Sequence, residues 1–175
     1  MKKIKIYTLL LVLTACLFNQ LNAAERIEGA FGLKFGDVFD VKKAKGEVLL
    51  IGNNKAYYFS PQNPINGIAE YYAAITPKTH KVAAIVAVGK FSSELRGFGA
   101  ANVLIPILEK KYGSGTFRDS KFSLSQGLRD ISIDVDREKD DTATLMIQYT
   151  DSDMMDMAEK ERIEIEQEKI NTGGL

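Results

Sequence analysis

The sequence predicts an α+β protein with an antiparallel sheet of about six or seven strands in hairpins, one long helix after the second hairpin and an acidic C-terminal helix. Two observations favour this class. Short segments that alternate apolar and polar residues flank turn-forming residues, as in antiparallel hairpins. A longer segment instead repeats its apolar residues at three- and four-residue spacing, which is typical of an amphipathic helix. Because the strands and helices do not alternate, the pattern indicates α+β rather than α/β.

The first 23 residues have the pattern of a bacterial export signal. Three lysines precede an apolar run over residues 6–18, which is shorter than the roughly 18 to 20 residues of a membrane-spanning helix. Cleavage after Ala23 would leave a single domain over residues 24–175, free in the periplasm or secreted. We therefore expect the mature chain to work outside the cytoplasm.

Lipidation at Cys16 is the alternative processing. Leu13-Thr14-Ala15-Cys16 resembles the lipobox that precedes a lipid-modified cysteine, although Leu17 and Phe18 prolong the apolar run beyond it. In that case the domain would be a lipoprotein tethered to a membrane. Contact with a membrane is expected only through the signal or through this lipid.

The composition argues against several classes of function. Cys16 is the only cysteine, so the domain has no disulfide and no cysteine-based metal site. Loss of the three leader lysines lowers the 23 basic residues to 20 against 23 acidic ones, so the mature chain has a net charge of −3. We therefore do not expect nucleic acid as a partner, and no motif predicts a cofactor.

The first half of the domain predicts a short helix and two hairpins. Asp37 is placed to cap a helix that runs to Lys45 and ends at Gly46. The predicted hairpins pair residues 47–51 with 55–60, around Gly52-Asn53-Asn54, and residues 67–76 with 81–90.

The strand at residues 82–88 is apolar on both of its alternating faces. One interpretation is a central strand that is covered on both sides. The other is an apolar face left exposed for a docking partner.

A long helix is predicted over residues 92–112, ended by Gly113. Pro106 predicts a kink or two abutting helices, because it removes one backbone donor. Gly97 and Gly99 are expected to permit close packing on Ala83 and Ala87. The predicted core-facing stripe contains Leu95, Phe98, Ala101 or Asn102, Ile105, Leu108 and Tyr112.

A loop over residues 114–121 and a third hairpin, with strands at 131–135 and 143–149, complete the predicted sheet. Asp151 or Ser152 then caps an acidic helix over residues 152–171. Eight acids oppose three bases between residues 151 and 170, so this segment has a net charge of −5.

No catalytic or metal site is predicted. The sole histidine, His80, falls beside a turn, where a solvated side chain is expected. The acids from Asp134 to Asp141 suggest a calcium loop, but Lys139 and Leu145 occupy the positions that need glycine and a bidentate acid. We interpret the acids from Asp134 to Asp141 as the solvent-exposed face of a strand that runs into a charged turn.

The candidate binding residues are four tyrosines on two neighbouring strands and two methionines that open the last helix: Tyr57, Tyr58, Tyr71, Tyr72, Met154 and Met155. Successive strand residues point to opposite faces, so some of these rings must lie outside the main core unless a second layer covers them.

The function that this pattern favours is a non-enzymatic envelope protein that binds another protein as an inhibitor, immunity factor or assembly accessory. One alternative is a glycan- or peptidoglycan-directed hydrolase that uses a carboxylate pair about 5 to 10 Å apart in a cleft. The other is a small-ligand carrier with an enclosed apolar pocket of about 300 Å³ or more.

Overall fold

The computed structural model describes residues 24–51 and 54–173, except the side chains of residues 47–51 and 173. The predicted signal over residues 1–23, lipidation at Cys16 and the turn residues Gly52 and Asn53 lie outside the described residues.

The predicted α+β class is confirmed, with two helices and two antiparallel sheets. A single 3-10 turn spans Val41–Lys43. The elements, in chain order, are β1 (Gly29–Ala30), β2 (Leu33–Lys34), β3 (Glu47–Ile51), β4 (Asn54–Tyr58), β5 (Glu70–Ile75), β6 (Val82–Phe91), α1 (Glu94–Tyr112), β7 (Thr116–Arg118), β8 (Lys121–Gln126), β9 (Arg129–Arg137), β10 (Ala143–Asp151) and α2 (Ser152–Gly173).

The main sheet has eight strands in the order β3-β4-β5-β6-β10-β9-β8-β7, beside a small β1-β2 hairpin. Two four-stranded meanders are thus joined by α1, and their last strands, β6 and β10, pair at the centre. The segment predicted as a loop over residues 114–121 instead contains β7 and the start of β8. Asp119 and Ser120 form its turn with φ of 49° and 65°, a left-handed geometry that the sequence signals only weakly without glycine.

Helix α1 covers one face of the second meander. Ser93 caps it by accepting the backbone N–H of Arg96 at 3.4 Å, and Gly113 ends it with φ of 100°. The helix continues through Pro106 without a break into two helices.

The predicted core-facing stripe of α1 is partly wrong. Ala101, Leu108 and Tyr112 are buried, but Leu95 is 82% exposed. Gly97 turns into the core instead, and a Cβ on it would lie 2.9 Å from Val135 Cγ1 and 3.2 Å from Ala143 Cβ. These contacts replace the predicted packing on Ala83 and Ala87, because α1 lies over β9 and β10 more than over β6.

The N-terminal segment covers the same face of the first meander with Ile27, Phe35 and Phe39. The predicted helix capped by Asp37 is absent from this segment. The backbone of Asp37 is occupied elsewhere, since its carbonyl accepts the N–H of Val82 at 2.9 Å. Asp40 caps the single 3-10 turn instead, through the backbone N–H of Lys42 at 3.1 Å.

Helix α2 lies against the opposite face. Asp151 caps it as predicted, because its Oδ1 accepts the backbone N–H of Met154 at 3.1 Å. Met155 packs on a row of three buried alanines from β4, β5 and β6: Ala56, Ala74 and Ala84. Strand β6 is therefore central and covered on both faces at its first six residues, which are at most 1% exposed. Among the described residues, no helix is long and apolar enough to cross a membrane.

Candidate contact surfaces

The four candidate tyrosines divide between the two faces of the sheet, as alternation along β4 and β5 requires. Tyr57 and Tyr71 face the main core. Tyr71 is 1% exposed, its hydroxyl accepts the backbone N–H of Ile65 at 2.7 Å, and its ring contacts Phe31 edge-on at 4.9 Å. Tyr71 is therefore a core residue and offers no ring to a partner, contrary to its selection from the sequence.

Tyr58 and Tyr72 lie together on the opposite face. Their rings are half-buried and meet edge-on at 5.7 Å, and the ammonium of Lys45 lies 5.8 Å from the Tyr58 ring. The Tyr72 hydroxyl donates to Glu70 Oε2, and this bond, with burial and the Glu70 charge, raises the pKa of Tyr72 to about 12. The pair stays a predicted contact site, since both rings are partly accessible.

Met154 and Met155 are half-buried and hold the start of α2 on the domain. Met155 packs on the alanine row, and its sulfur accepts from Asn54 Nδ2 at 3.9 Å. Met154 lies beside Gly36. Both side chains therefore make contacts within the domain.

Glu161 fixes α2 to the turn between β5 and β6. Its carboxylate accepts the backbone N–H groups of Lys78 and Thr79 at 2.7 and 3.1 Å, and the Thr79 hydroxyl at 2.7 Å. Burial acts to raise the pKa of Glu161, but these hydrogen bonds together outweigh it and lower the pKa below its usual value. The sequence did not distinguish this buried acid from its solvated neighbours on the same helix.

Most of the remaining charge on α2 is matched within the chain. Lys78 Nζ bridges Glu164 at 3.0 Å and Glu168 at 2.8 Å. Arg162 pairs with Glu159 and Glu166 along the helix. The acidic helix therefore presents less free negative charge than its composition implies.

The outer side of α1 carries an exposed apolar row that the sequence analysis missed. Leu95, Val103 and Ile107 are 82%, 66% and 58% exposed, and no element of the described chain covers them. We call these three residues the α1 ridge. Four-residue spacing from Leu95 through Gly99 to Val103 and Ile107 is a signal for a second apolar stripe, whereas the predicted stripe places Leu95 on the core-facing side.

The described residues give little geometric support for a catalytic site. They hold no group of three or more acidic, cysteine or histidine side chains placed to bind a metal. An open groove of about 710 Å³ contains Glu138 and Asp140, but threonine hydroxyls donate to both carboxylates. The pKa of Asp140 is lowered by the Thr142 hydroxyl, which is opposite to what a general acid needs.

Comparisons of the chain with protein-family models, curated protein sequences and solved structures found no significant match.

Proposed function

We propose that the chain is an exported envelope protein that acts without catalysis, by binding another protein through the α1 ridge. The observation that carries the proposal is the exposure of Leu95, Val103 and Ile107, which ranges from 58% to 82% on one side of one helix. Scattered single apolar residues are normal on a surface, whereas an aligned row on a helix is typical of helix-to-groove or helix-to-helix docking.

The charges around the ridge indicate the chemistry of the partner. Arg96 and Lys110 are exposed and lie on the same side of α1 as the ridge, without an ion-pair partner among the described residues. A complementary surface would therefore be apolar at its centre and acidic at its rim. Such a partner suits the role of an inhibitor, immunity factor or assembly accessory.

The first test compares the purified wild-type protein with Ile107→Glu. Envelope proteins that bind the wild type are identified by mass spectrometry, and the dissociation constant is then measured with the purified partner. Burial of an isoleucine side chain contributes about 1.5 to 3 kcal/mol, so its loss predicts binding weaker by about 10- to 150-fold.

Ile170→Glu is the matched control, because Ile170 is 74% exposed but lies on α2, on the other face of the sheet. We expect it to bind like the wild type. Equal loss with both variants, or no partner for a folded wild-type protein, would contradict the proposal. Self-association through the ridge, seen as a doubled mass in light scattering that Ile107→Glu abolishes, would contradict it as well.

A further inference from the structure

A cavity of about 310 Å³ lies where the second half of α2 passes the ends of β4 and β5. It is distinct from the α1 ridge, since it is formed by α2 and the turn between β5 and β6. Its described lining consists of Lys55, Tyr57, Ile75, Pro77, His80, Ile165 and Lys169.

The lining of this cavity is mixed, because the apolar side chains of Ile75, Pro77 and Ile165 lie beside polar and basic ones. Ile75 is buried, and Pro77 and Ile165 are half-buried. Lys169 lines the cavity, is exposed and has no ion-pair partner among the described residues. The Tyr57 hydroxyl also makes no hydrogen bond within the described part of the chain, so it is available as a donor.

No acid of the described chain lines the cavity, although the acidic helix α2 contributes Ile165 and Lys169 to it. The nearest acids of the helix are directed elsewhere. Glu161 holds the backbone of Lys78 and Thr79, while Glu164 and Glu168 bind the Lys78 ammonium. These three acids are thus held by the turn and are not part of the cavity lining, whereas Lys169 is part of it.

We infer that this cavity binds a small amphipathic carboxylate, with its apolar chain against Ile75, Pro77 and Ile165 and its carboxylate near Lys169 and the Tyr57 hydroxyl. The volume is at the small end of known ligand pockets, which fits a chain of about eight carbons rather than a full lipid. The lysine supplies the opposite charge, and the apolar wall removes the chain from water.

The test titrates the purified protein with octanoate, with octan-1-ol as the neutral analogue and with acetate as the analogue that lacks the chain. Isothermal titration gives the affinities, and amide NMR shifts give the location. Octanoate is expected to bind saturably and to shift the amides of His80 and Ile165. Octan-1-ol and acetate are each expected to bind at least tenfold more weakly.

Lys169→Glu is expected to weaken octanoate binding at least tenfold, because it reverses the charge beside the carboxylate. Lys160→Glu is its matched control, since this lysine is also exposed on α2 but lies nine residues away, half a turn around the helix. Ile165→Gln should weaken octanoate and octan-1-ol alike, with folding checked by cooperative urea unfolding.

Three results would overturn the inference. The first is no saturable binding of octanoate, and the second is equal affinity for octan-1-ol, which would mean that no carboxylate is recognised. The third is NMR shifts confined to residues outside the cavity, which would show adventitious binding of the chain.

Discussion

At the residue scale, Gly97 and Gly99 lie two positions apart in α1 but have opposite surroundings. A Cβ on Gly97 would lie 2.9 Å from a methyl group of Val135, whereas a Cβ on Gly99 would have no atom within 4 Å. Alanine is favoured over glycine in a helix by about 1 kcal/mol. Steric contact around the added methyl group therefore decides whether a glycine-to-alanine change stabilises or destabilises the protein at each position.

We predict that Gly97→Ala destabilises the protein by about 1 to 3 kcal/mol, because α1 must move away from β9 or Val135 must leave its preferred rotamer. Gly99→Ala should stabilise it by up to about 1 kcal/mol. The free energies of unfolding in urea check both values. Equal stabilisation by the two changes would mean that α1 does not pack closely on the sheet at Gly97.

At the element scale, α2 depends on the carboxylate of Glu161. The pKa of Glu161 in the folded state lies below its usual value. The ionised carboxylate is therefore more stable in the folded protein than in the unfolded chain. The stabilisation is therefore fully present above the unfolded value of about 4.3 and is lost as the pH falls through the folded value.

We predict that Glu161→Gln lowers the free energy of unfolding by about 2 kcal/mol at pH 7. The NH₂ group of the new amide would face hydrogen-bond donors, where the carboxylate oxygens accept hydrogen bonds. The difference from the wild type should shrink as the pH falls below about 4.3. Urea unfolding of both proteins between pH 3 and pH 7 measures it. Glu166→Gln is the control, since Glu166 is exposed and surface ion pairs such as the one it forms with Arg162 contribute little to stability. A difference that is constant with pH would contradict the role given to the Glu161 charge.

At the scale of the whole molecule, α2 divides into an anchored first half and a more exposed second half. Ala158 and Glu161 are 0% and 8% exposed, whereas Ile163 and Ile170 are 42% and 74% exposed. The first half covers the alanine row, so the domain needs it as part of its second layer.

We predict that a chain ending at Arg162 still unfolds cooperatively and is only slightly less stable than the full chain, since it gives up the exposed ion pairs of Lys78 and the contacts of Ile165. A chain ending at Asp151 should lose about 3 to 5 kcal/mol, because the alanine row and the turn between β5 and β6 are uncovered. Thermal unfolding followed by circular dichroism compares the two. Similar stability for both chains would show that α2 is not part of the folded core.

Both central strands and both helices could be predicted because their patterns are local. The Ser93 cap, Gly113 and Asp151 set helix ends within the chain that surrounds them. By contrast, the sequence does not predict the β7-β8 hairpin, because its turn places Asp119 and Ser120 at positive φ without the glycine that usually marks such a turn.

The candidate site was less predictable than the fold. Alternation correctly predicted that some tyrosines lie outside the core, but which ones depended on the face that the N-terminal segment covers. The α1 ridge and the cavity depend on how each helix is rotated about its axis. That rotation is set by contacts between residues far apart in the chain, such as Gly97 with Val135 and Glu161 with Thr79.

The sequence by itself determined the α+β class, the apolar character of both faces of β6 and the approximate extents of α1 and α2, because periodicity and capping act within a few residues. Only the tertiary structure decided that Tyr71 is core while Tyr58 and Tyr72 remain accessible, that Leu95 faces solvent, and that Glu161 is buried. These outcomes depend on which segment covers which face of the sheet. The free energy that decides between the possible arrangements comes from contacts throughout the packed domain, and no single element contains it.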